Sequence, residues 1–207
     1  MDREVDLSKA WSILESSVRT GAFPGAVACI TIGEDVVGHR AFGRYTYDPD
    51  SPEVTLDTMF DLASVSKTMV AWGVMLLVEE GRVDLDAPAT VYLPELRGRE
   101  EVFSVRQLLC HTSGLPSNPE LHQEHPTAQE LWGAIYRIPL QYRPGADVLY
   151  TSLGYMLLGR IIETDAGQTL DRFLDRRLFG PLGMSSTMFR PPSNLIHQIT
   201  PTEFSPR

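Results

Sequence analysis

The chain has 207 residues, 43% hydrophobic and 22% charged, which is enough to bury a sizeable core and too apolar for a disordered segment. Its net charge is −9 and its 18 lysines and arginines are scattered, so binding to nucleic acid or to an anionic membrane lacks an electrostatic basis. Cys29 and Cys110 are far apart in sequence, one in a strand-like run and one beside a histidine; they make neither a disulfide framework nor a zinc spacing and are expected to be buried free thiols.

Taken in order, Met1-Asp2-Arg3-Glu4-Val5-Asp6 lacks the basic-then-apolar pattern of a signal peptide, and no run is long enough to span a bilayer, so a cytoplasmic chain is expected. Leu7, Ala10, Trp11, Leu14 and Val18 form a helical stripe that Gly21 can end. Residues 25–32 and 36–43 are β-prone and flank the polar turn Gly33-Glu34-Asp35, which predicts a hairpin. The Pro- and Asp-rich stretch from Tyr47 to Pro52 is a loop leading to a long helix that stops at Gly81. From Met69 to Val78 that helix is apolar on every face and is expected to be buried inside the domain.

Beyond Gly81 the chain turns helical in short pieces. Residues 82–88 read as an irregular linker, Ser104 caps a short helix to Leu109, and His111-Thr112-Ser113-Gly114-Leu115-Pro116 opens a loop to Pro126. Thr127 caps a helix to Tyr136, and Arg143-Pro144-Gly145 makes a turn. Helices follow over 152–166, with Gly167 as the stop, and over 169–178. Five prolines spread over Gly180 to Arg207 predict extended coil with at most short pieces of structure. The expected organisation is a helix and hairpin in 1–60, a mostly helical lobe in 61–190, and extended coil in 191–207.

The chemistry starts at Ser64 and Lys67. With 15 serines and two lysines in the chain, about 0.14 Ser-x-x-Lys matches are expected by chance. A step of three on a helix puts the hydroxyl and the amine on one face, within touching distance. Serine is a poor nucleophile until a base takes its proton, and a lysine, unlike an arginine, can serve as that base when its surroundings favour the neutral amine. The first turn of a helix also offers free N–H groups to a developing oxyanion. Tyr150, on the loop before the 152–166 helix, is the candidate to pass the proton onward.

These features, together with Phe23-Pro24-Gly25-Ala26, the run Leu108 to Leu115, Arg143-Pro144-Gly145, Leu153-Gly154-Tyr155 and Pro181-Leu182-Gly183-Met184, resemble the N-terminal part of the serine β-lactamase and penicillin-binding-protein superfamily, in its class C-like branch with the family VIII carboxylesterases. The resemblance implies an α+β fold of the β-lactamase/D,D-peptidase type, a helical lobe against an antiparallel sheet, here incomplete because the C-terminal strands are absent. It implies Ser64 as acylated nucleophile, Lys67 as base, Tyr150 as proton shuttle and Ser152 as a substrate contact where the family usually has asparagine. The family's third motif, Lys-Thr-Gly or His-x-Gly, has no counterpart before Arg207. No metal and no cofactor is implied. The partners expected are an ester, a β-lactam or a D-amino-acid peptide as substrate, with a homo-oligomer or a completing chain at the open sheet edge.

Other patterns carry less. Cys110 beside His111 lacks a third group for a thiol nucleophile, and His111, His122, Glu124 and His125 match no metal-ligand spacing. Gly-x-Ser-x-Gly and His-Glu-x-x-His are absent, which argues against α/β-hydrolases and zincins. The function expected is therefore a serine hydrolase working through an acyl-enzyme. The alternative is an incomplete homologue, inactive alone, that binds or assembles with a partner chain.

Overall fold

The computed structural model describes residues 5–117 and 121–202, with His122 described by its backbone alone. The chain divides into two compact units. One gathers the described residues up to Leu62 with those from Arg190 onward; the other runs from Ala63 to Phe189.

In the first unit, helix α1 spans Ser8–Arg19, as the apolar stripe predicts. Strands β1 (Gly25–Ile32) and β2 (Asp35–Gly43) pair antiparallel from Gly25 opposite Gly43 to Ile32 opposite Asp35, with an irregularity at Ile30/Thr31. Helix α1 lies close on β2: the Trp11 and Phe42 rings are 5.8 Å apart. A side-chain carbon at Gly38 would sit 2.5 Å from Leu7 and Trp11, so only glycine permits this approach. The stretch from 191 on carries a short piece of structure. Ser193–Gln198 forms a 3₁₀ turn, and Met59 N–H donates to the Gln198 carbonyl at 2.9 Å while Thr200 N–H donates to the Met59 carbonyl at 2.9 Å.

The second unit is helical. A 3₁₀ turn, Ala63–Val65, runs into α2 (Ser66–Glu79), and α3 (Val105–Leu109), α4 (Leu121–Glu124), α5 (Ala128–Arg137), α6 (Ser152–Ala166) and α7 (Leu170–Leu174) follow, α7 passing into a π-helical turn over Asp175–Phe179. Short 3₁₀ turns at Ala89–Val91 and Pro94–Leu96 punctuate the linker. Local chemistry starts and stops these helices. Ser104 and Gln107 close a capping box on α3, Thr127 and Glu130 close another on α5, and the Thr151 hydroxyl accepts from Leu153 N–H at the start of α6, which ends on Gly167. The four-residue α4 falls where the sequence predicts loop; one turn is too short to show a period.

Val74 and Leu77 of α2, Leu157, Ile161 and Ile162 of α6, and Phe173 and Leu174 of α7 make the centre of the core. The helices cross tightly at Gly73, where an added side-chain carbon would lie 2.9 Å from Ile162 and 3.0 Å from Leu174.

Two expectations are corrected here. Helix α2 is not buried all round: Val70, Gly73, Val74 and Leu77 face the core, while Trp72 is 60% and Met75 41% exposed. An all-apolar run cannot reveal which of its faces the other helices cover. Cys29 and Cys110 are free thiols but exposed: Cys29 lies in a hairpin strand and Cys110 is the C-cap of α3. The architecture is α+β, a helical lobe with a two-stranded antiparallel sheet among the described residues. No helix among them is long and apolar enough to cross a membrane.

Candidate active site

Ser64 stands in the 3₁₀ turn ahead of α2, and Lys67 is the second residue of the α-helix. The tighter winding of a 3₁₀ turn brings residues i and i+3 nearly into line. Lys67 Nζ donates to Ser64 Oγ at 3.3 Å. Ala63, just before the serine, has φ +42, a left-handed backbone that a residue with a side chain adopts at a cost of order 1–3 kcal/mol. Val70 and Val74 of the helix that follows are buried in the core, while Ser64 itself is exposed.

Tyr150 reaches the same place from the loop before α6. Lys67 Nζ lies 4.9 Å from the centre of its ring. Hydrogen bonding first to Lys67 and then to Ser64 holds the Tyr150 phenol below the usual range, outweighing the opposing effect of burial. A phenol so held gives up its proton more readily than a free tyrosine. Ser64, Lys67 and Tyr150 line one open cavity of about 400 Å³ with Thr68, Ala71, Trp72, Met75, His111 and Tyr155. Ser152, expected at the substrate, is half-buried as the first residue of α6 and is not among those lining residues.

Sequence reasoning weighed His111 only beside Cys110 and as a metal ligand, and gave it, Tyr155 and the apolar wall of Trp72 and Met75 no place in the site. His111 sits in the left-handed region at φ +58, where histidine is one of the few side chains found with any frequency. Its ring lies 4.7 Å from that of Tyr150 and 5.2 Å from that of Tyr155. Tyr155 donates its hydroxyl to the Leu109 carbonyl at 3.0 Å, and burial pushes its phenol upward, so this tyrosine ties α6 to α3 and keeps its proton. The signal that could have found His111 was a non-glycine residue breaking a helix just before Thr112-Ser113-Gly114. Among the described residues no group of three or more His, Cys, Asp or Glu side chains is arranged to hold a metal ion, and the His122 side chain lies outside them.

A Ser-x-x-Lys turn thus leads into α2, and a tyrosine from the loop before α6 lies against both of its side chains. The family model described as Beta-lactamase matches residues 12–203, and the chain belongs to this family. A Salmonella agona protein named as a D-alanyl-D-alanine carboxypeptidase is 29% identical over 170 residues, covering 73% of this chain and 38% of that protein. The D-amino acid amidase of Ochrobactrum anthropi SV3, solved with L-phenylalanine amide, is 34% identical with a TM-score of 0.71, covering 87% of this chain and 51% of that one. A class C beta-lactamase solved with cefoxitin has a TM-score of 0.81 over 95% of this chain and 56% of its own; at 24% identity it shows the shared fold. The chain thus spans well under half the length of the carboxypeptidase and about half that of the solved relatives.

Proposed function

We propose that this protein is a serine hydrolase that forms an acyl-enzyme on Ser64. The observation that carries the reading is the contact of Lys67 Nζ with Ser64 Oγ at 3.3 Å inside a cavity that Tyr150 also lines. Lys67, as the base, takes the Ser64 proton as Oγ attacks the acyl carbon and returns it to Oγ when the acyl group leaves. Tyr150, its phenol acidified by the same two neighbours, hands a proton to the leaving group and then takes one from the water that releases the acyl group. The Ser64 N–H, at the head of the helical turns, faces the developing oxyanion. Tetrahedral charge therefore forms where a donor and the positive end of a helix already point.

Esters, β-lactams and D-amino-acid peptides or amides are the substrate classes, all of which present an acyl carbon to a serine. Similarity to a D-amino acid amidase and to a protein named for D-alanyl-D-alanine cleavage supports D-amino-acid derivatives. Trp72 and Met75 supply apolar surface for the acyl side, and the net charge of −9 disfavours an anionic polymer.

The test is covalent labelling. A fluorophosphonate probe and a chromogenic cephalosporin, applied to the full chain with the adduct located by mass spectrometry, should mark Ser64 and leave Ser64→Ala unmarked. A folded chain that takes neither reagent, or takes one on another residue, overturns the reading.

A further inference from the structure

We propose that His111, in its neutral form, is the residue that positions Tyr150 against Lys67 and Ser64. The inference rests on the serine-hydrolase reading for its catalytic meaning, but the positioning can be measured without turnover.

The geometry is a bracket. The His111 carbonyl accepts from Leu149 N–H at 2.9 Å, and the His111 ring Nδ1 accepts from Thr151 N–H at 3.3 Å. These two bonds hold the residues on either side of Tyr150, and the His111 ring then lies against the Tyr150 ring at 4.7 Å. Backbone before, backbone after and ring face are all fixed by one residue. His111 is itself fixed: Tyr155 backs its ring at 5.2 Å, and the neighbouring Thr112 donates its N–H to Gln107 at 2.9 Å and accepts from Gly145 N–H at 2.7 Å. Thr151 is only 1% exposed, so its N–H has no ready access to water if the histidine ring fails to accept it.

The bracket depends on protonation. Only a neutral imidazole with its proton on Nε2 leaves Nδ1 free to accept; an imidazolium donates from both nitrogens and turns an N–H toward the Thr151 N–H. The groups facing the ring are Lys67 from α2, Tyr150 from the loop and Tyr155 from α6, with Cys110 beside it on its own segment. Burial first, and the Lys67 charge second, hold the imidazole below the ordinary histidine range. The sign follows: the neutral form and the bracket persist through neutral pH, and protonation breaks them only at a pH below where a free histidine titrates.

Asparagine and leucine separate the roles. His111→Asn keeps an acceptor in the place of Nδ1, tolerates a left-handed backbone and cannot titrate. His111→Leu keeps apolar bulk and removes the acceptor. In the full chain, followed by NMR, the Thr151 amide should shift with the His111 titration in the wild type and stay flat in His111→Asn, and the Tyr150 phenol should titrate low in both and return upward in His111→Leu. With an acyl substrate, kcat should fall about 10²-fold in His111→Leu with KM little changed, the scale of loss that follows misplacing a reacting group by about 1 Å. His111→Asn should lose less of kcat than His111→Leu and should lose the acid limb that His111 contributes. A Thr151 amide indifferent to the His111 titration, or a Tyr150 phenol unmoved in a folded His111→Leu, overturns the proposal. Should leucine prevent folding, an acid limb unchanged in His111→Asn overturns it equally. A wild type that never labels Ser64 while Thr151 still follows His111 sinks the hydrolase reading and supports the bracket.

Discussion

The helical unit and the hairpin unit bury apolar surface to different degrees. In the helical unit Val74, Leu77, Leu157, Leu158, Ile161 and Ile162 are fully buried; in the hairpin unit the buried hydrophobic residues among those described are Phe42 at 6% and Val54 at 7%, while Ile32 and Val36 are 55% and 61% exposed. Helices α2, α6 and α7, crossing at a glycine and joined by residues of the linker turns, α3 and α5, enclose a core, whereas the two strands stay partly uncovered. The contrast teaches where the chemistry can be placed. Ser64, Lys67, His111 and Tyr150 all belong to the helical unit, at the rim of its core, so each is held by packed neighbours while remaining open to a substrate.

The largest expected effect sharpens that contrast from the side of chemistry. Lys67→Arg keeps a cation beside Ser64 but cannot yield a neutral base, so acylation, read as the rate of probe labelling, should fall by about 10² or more while the unfolding midpoint stays put. Near-normal labelling would remove the base from Lys67. Next in size is the core itself. Leu157→Ala should lower stability by about 2–5 kcal/mol in urea unfolding, because the fully buried side chain leaves a cavity that rigid neighbours cannot close. The smallest effect should come from the hairpin: Ile32→Thr, on a half-exposed strand end, should change stability by no more than about 0.5 kcal/mol in the same assay. An Ile32→Thr loss as large as that of Leu157→Ala would break the comparison and mean that the hairpin is packed more firmly than its exposure indicates.

Much of this was legible in the residues. Thr127 with Glu130 and Ser104 with Gln107 announce helix starts because a cap and its answering side chain lie three residues apart. Gly167 announces the end of α6, and the β-prone runs around Gly33 announce the hairpin. The membership of the family was legible too, in the Ser-x-x-Lys step and the blocks around it. What stayed hidden was everything that depends on which neighbour arrives. Trp72 and Met75 read as core, yet they lie on the open side of α2; Cys29 and Cys110 read as buried, yet both are exposed. His111 read as a loop histidine, and its place beside Tyr150 is fixed only because α3 and α6 are joined through Tyr155 and Leu109.

By itself the sequence determined the Ser64 and Lys67 pair, because a step of three residues at the head of a helix is local geometry that no distant segment has to supply. The tertiary structure alone decided that Tyr150 and His111 meet that pair. They are far from it along the chain, and the packing of α2 on α6 together with the tie between α6 and α3 through Tyr155 and Leu109 brings their loops to the same cavity.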